Sequence, residues 1–105
     1  MDRRLPPDVV ELLDRLESVL QLEILLALHD ASEAMTPGQF ARRTGGSEEQ
    51  VARCLDALVG QGLAVHHDVG RSSYRAGGAD PTVDRLAELY ITEKVGVVSE
   101  LLRAP

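Results

Sequence analysis

The chain has 105 residues, is 44% apolar with only three aromatic side chains, and carries a formal net charge of −6. That length sets one small domain, residues 1–105. No apolar run is long enough for a membrane span, and "MDRRLPPDVVELL" lacks the apolar stretch of a signal peptide. The single cysteine, Cys54, excludes an internal disulfide and fits a reducing cytoplasm.

The charge is unevenly spread. Residues 1–35 carry three basic and eight acidic groups, residues 36–76 five and four, and residues 77–105 three and five. Only the middle of the chain is not acidic, so only there is a surface for an anionic partner expected.

In chain order, "LPPDVVELLDRLE" predicts an N-terminal helix over 8–17. Pro6 and Pro7 stand at its start, Asp8 and Glu11 suit the positive helix end, and Val9, Leu12, Leu13 and Leu16 recur at helical spacing. "SVLQLEILLALHD" follows, apolar on most sides and therefore central; it either starts anew at Ser18 or continues the first helix. "MTPGQFARRTG" predicts a short helix with Thr36 as N-cap, Pro37 in its first turn, and Gly45-Gly46 ending it. A longer helix, 47–61, begins at Ser47 with Gln50 at the capping-box offset. It buries Val51, Cys54, Leu55, Leu58 and Val59.

Past Gly60 and Gly62 the period changes from helical to alternating. "LAVHHDVGRSSYRA" predicts a hairpin over 63–76 that turns at "DVGR". Asp80-Pro81 caps a last helix, continuous over 81–102 and weakened in the middle by Gly96. The expected fold is mainly α with a small β-hairpin.

The order short helix, glycine turn, longer helix, hairpin, carried by "FARRTGGSEEQVARCLDALVGQGLAV" and "HHDVGRSSYRA", resembles the winged helix-turn-helix of bacterial MarR- and ArsR-like regulators. The matching positions are Ala41, Gly45 or Gly46, Ser47, the triplet Val51, Leu55 and Leu58, and the step Gly62-Leu63. The resemblance divides the chain into an N-terminal helix (8–17), a winged-helix core (18–76) and a C-terminal dimerisation helix (81–102). It implies a cytoplasmic, non-enzymatic, sequence-specific transcription regulator that binds double-stranded DNA as a homodimer. The 47–61 helix would lie in the major groove, with 63–76 as the wing.

On that reading Arg53 is placed to read guanine and Gln50 adenine. Arg42, Arg43 and the Ser47 hydroxyl would hold phosphates. Arg71, Ser73 and Arg75 share one face of the wing and would reach a phosphate or the minor groove. The outward face of the same helix also carries Glu48, Glu49 and Asp56. The two glutamates fit the first helical turn, and Asp56 lies three residues from Arg53.

No cofactor, metal or catalytic residue is expected. His66 and His67 point to opposite faces of a strand, no ligand cluster has metal-site spacing, and no nucleophile–base constellation is present. No effector pocket is evident. In the families of the resemblance the terminal helices pair between subunits, so Leu86, Leu89, Tyr90, Val97, Val98 and Leu101 are the expected dimer contacts; the alternative is that the terminal helices pack only on each other.

The acidic balance supports a second function, a protein–protein interaction module on the same scaffold without DNA binding. The arginines separate the two. Convergence on one surface favours DNA, and pairing with acids favours interaction.

Overall fold

The computed structural model describes residues 5–31, 33–67, 73–78 and 80–102. In order these form α1 (Pro7–Asp14), α2 (Val19–Asp30), α3 (Pro37–Thr44), α4 (Glu48–Gly60), β1 (Ala64–His66), β2 (Tyr74–Ala76), α5 (Pro81–Thr92) and α6 (Lys94–Leu101). The fold is mainly helical with a small antiparallel hairpin, as expected. The chain divides into two compact units, Leu20–Ala79 and Met1–Val19 with Asp80–Pro105.

In the Leu20–Ala79 unit, local rules set most boundaries. Thr36 and Gln39 form a reciprocal capping box: Gln39 N–H donates to Thr36 Oγ1 at 3.3 Å and Thr36 N–H to Gln39 Oε1 at 2.8 Å. Two otherwise unsatisfied helix-end donors are satisfied at once. Ser47 and Gln50 repeat the device at α4, at 3.1 and 3.3 Å. Between them Gly45 takes a left-handed φ of 86°, which closes α3 without a Cβ penalty.

The buried stripe of α4 is Val51, Leu55 and Leu58, each fully buried; Cys54 and Val59, expected in it, are half-exposed. Phe40 of α3 is also fully buried, and α3 packs against α4. Gly62 at φ 77° ends α4, and Leu63 N–H donates to the Leu58 carbonyl at 2.9 Å. The hairpin pairs Ala64 with Ala76, Val65 with Arg75 and His66 with Tyr74. Met35 exchanges two backbone hydrogen bonds with Tyr74, so β2 is flanked on both sides.

In the other unit α1 packs against α5 and α6. Val9, Leu12, Leu13, Leu16, Val83, Leu86 and Val97 are buried. Asp8 ties α1 to α5: its Oδ2 lies 2.9 Å from Arg85 NH2 and accepts from Thr82 Oγ1 at 3.2 Å. The Asp80 carboxylate caps α5 through the Thr82 and Val83 N–H groups.

Two expectations fail here. The N-terminal helix ends at Asp14, not residue 17, so α2 is a separate helix. The expected single helix over 81–102 is two helices, broken at Glu93, where φ is −133° and ψ 44°. The break follows the β-branched pair Ile91-Thr92, which has low helix propensity. Thr92 Oγ1 also donates back to the Glu88 carbonyl at 3.3 Å, a contact that loosens a helix at its end. Gly96, the expected weak point, lies inside α6.

Candidate interaction surface

The helix-turn-helix geometry is present in α3, the Gly45 turn and α4, yet Arg43, Ser47, Gln50 and Arg53, expected on DNA, have partners within the chain. Arg43 NH2 lies 2.7 Å from Asp30 Oδ2. Arg53 NH2 lies 2.9 Å from Glu49 Oε1, one helical turn earlier. The Ser47 hydroxyl and the Gln50 amide oxygen are both used in the α4 cap. Ser73 is half-buried and its carbonyl accepts from His67 N–H at 3.0 Å. Arg42 on α3 and Arg75 on β2 are exposed. Arg71 lies outside the described residues.

The outward face of α4 exposes Glu48, Glu49, Arg53 and Asp56. Asp56 does not turn to Arg53, as the sequence spacing suggested. Its Oδ1 accepts from the Tyr74 hydroxyl at 3.2 Å, which ties α4 to the hairpin. Burial raises the Tyr74 phenol above its ordinary value, and the Asp56 charge and the hydrogen bond raise it further. The Tyr74 ring also lies 4.7 Å from that of His66, its cross-strand neighbour. What this face presents is an acidic helix whose one arginine, Arg53, is paired with Glu49, which opposes a polyanion.

The terminal helices differ. Of the six residues expected at a dimer contact, Leu86 and Val97 are fully buried and have no surface to offer. Leu89, Tyr90, Val98 and Leu101 are half-buried. Among the described residues the exposed large hydrophobic side chains are Ile91 at 83%, Val95 at 81% and Leu102 at 65%. All three belong to the α5–α6 segment. Ile91 falls off the repeating apolar stripe of α5, so the stripe does not select it. An apolar residue outside the buried stripe needs a second partner or stays in water.

A shallow groove on α5, lined by Pro6, Arg85, Glu88, Leu89, Ile91 and Thr92, adjoins this exposed set. Among the described residues no helix is long and apolar enough to cross a membrane.

The sequence matches the family model of the O-methyltransferase dimerisation domain over residues 12–93. No curated protein and no solved structure matches the chain. The match overturns the resemblance to MarR- and ArsR-like regulators, and with it the DNA-binding, transcription-regulating function. The helix-turn-helix shape is real, but a shape alone does not carry a function. The chain belongs to the O-methyltransferase dimerisation domain family.

Proposed function

We propose that this chain is a protein-interaction module whose partner is a second copy of itself, and that it carries no catalytic step of its own. The observation that supports this most directly is the family match, which spans residues 12–93 and names a dimerisation domain. The pairing of Arg43 and Arg53 with carboxylates agrees with it, because a surface built for phosphates would leave those cations open. A cytoplasmic setting belongs to the same reading, because a chain with a single cysteine, Cys54, makes no internal disulfide.

Sedimentation equilibrium of the purified chain over a range of micromolar concentrations tests the proposal. A mass of two chains that falls toward one on dilution is the expected result. A single-chain mass throughout the range would remove it.

A further inference from the structure

We infer that the surface covered by the second copy is the outer face of α6, formed by Val95, Val98 and Leu102, together with Ile91 at the end of α5. This rests on the dimerisation reading above and names the part of the chain that carries it.

The argument begins with the width of the apolar arc on α6. At about 100° per residue, Val97, Leu101, Val98, Leu102 and Val95 follow one another around the helix over about 160°. A helix packed on one neighbour needs an apolar stripe only ~100° wide. One edge of the arc is used within the chain, since Val97 is fully buried and Leu101 half-buried. The other edge is not. Val95 and Leu102 stand 81% and 65% exposed, with half-buried Val98 between them at offsets of three and four. That spacing places the three in one row along the helix.

Exposed apolar residues scattered singly are ordinary. Here they are not scattered. Among the described residues every exposed large hydrophobic lies between positions 91 and 102, and none lies in the Leu20–Ala79 unit.

Charge selects a second copy as the occupant. The one charged residue within the arc is Lys94, and its ammonium folds back to 5.3 Å from the Tyr90 ring centroid. A two-fold interface brings a patch against itself, so a patch of one sign meets its own sign and a charge near the axis meets its own copy. A row of Val, Val and Leu without a projecting charge meets that condition, whereas the α4 face, with Glu48, Glu49 and Asp56, does not.

The experiment measures the mass of the wild-type chain and two variants by light scattering after size exclusion, with far-ultraviolet circular dichroism on each. The double variant Val95→Glu/Leu102→Glu places charges at exposed positions, and Arg42→Glu does so on the exposed side of α3. We expect a wild-type dimer, an Arg42→Glu dimer, and a double variant whose dimer dissociation constant rises at least ~100-fold with unchanged helicity.

A double variant that stays dimeric overturns the surface and leaves the dimerisation reading standing. A monomeric wild type removes the reading itself, and the inference with it. If the double variant loses helicity, Val95→Cys in a Cys54→Ser background decides instead. Covalent dimer formed by a short bis-maleimide at low protein concentration supports the surface, and its absence from a dimeric protein overturns it.

Discussion

Arg43 on α3 and Asp30 at the end of α2 meet at 2.7 Å, across thirteen positions of sequence. A cation counted from the sequence as a phosphate contact is thus neutralised by a carboxylate that the fold brings to it. Anisotropy with labelled duplex DNA at ~50 and ~200 mM salt should show no steep salt-dependent binding, because Arg43 and Arg53 are paired with carboxylates and the outward face of α4 is acidic. Binding that falls by orders of magnitude between the two conditions would restore the regulator. Arg43→Ala should change stability by no more than ~1 kcal/mol, since the paired side chains are 44% and 74% exposed and water screens them.

The Tyr74 hydroxyl gives a second, better-placed test. Tyr74 is 6% exposed and donates to Asp56, so Tyr74→Phe removes a hydrogen bond while keeping the ring. A loss of ~0.5–1.5 kcal/mol is expected in a urea titration at neutral pH. The pH dependence has a definite sign. The folded phenol holds its proton more tightly than the unfolded one, whose value is 10.0. The contribution is full below pH 10 and is lost as pH rises through the higher folded value. Melting temperature should therefore fall on alkalinisation beyond pH 10 in the wild type and less steeply in Tyr74→Phe. Equal slopes would show that this hydroxyl does not tie the hairpin to α4.

Much of the helix-turn-helix was legible because its determinants are local. The offsets Thr36 to Gln39 and Ser47 to Gln50 encode the caps, and only a residue without a Cβ is at ease with the φ of Gly45. The side-chain pairings were not legible, because they are settled between elements. Asp56 had a cation three residues away, yet bonds to Tyr74 eighteen residues on. The break at Glu93 was hidden because apolar residues recur on both sides of it and no proline or glycine marks the site. Function was misread for a related reason. Cap, turn and stripe report a shape, and a shape is shared by chains of different function; the exposed apolar residues Ile91, Val95 and Leu102 lie outside the helix-turn-helix.

Two glycines separate close approach from conformational freedom. A Cβ on Gly77 would collide with the Gly62 carbonyl oxygen, while one on Gly60, at the end of α4, meets nothing within 4 Å. Gly77→Ala should cost ~1–3 kcal/mol, because the hairpin must move from α4's exit to admit the methyl group. Gly60→Ala should instead stabilise by ~0.5–1 kcal/mol through lower unfolded-state entropy. Thermal denaturation of both variants checks the pair; a neutral Gly77→Ala would mean that the strand can shift without loss.

The dimer should respond to salt in the direction opposite to a DNA complex. The segments 1–19 and 80–105 carry ten acidic and six basic residues, so two copies of the unit holding Ile91, Val95 and Leu102 repel at long range. Their contact residues are apolar, so salt screens the repulsion without weakening the contact. Raising NaCl from ~50 to ~500 mM should tighten the dimer a few-fold, as screening shortens from over 10 Å to a few Å. Sedimentation velocity at both salts reads this directly. A dimer that loosens instead is held by ion pairs, and the acidic and basic groups flanking the α5 groove, Glu88 and Arg85, become the first residues to exchange.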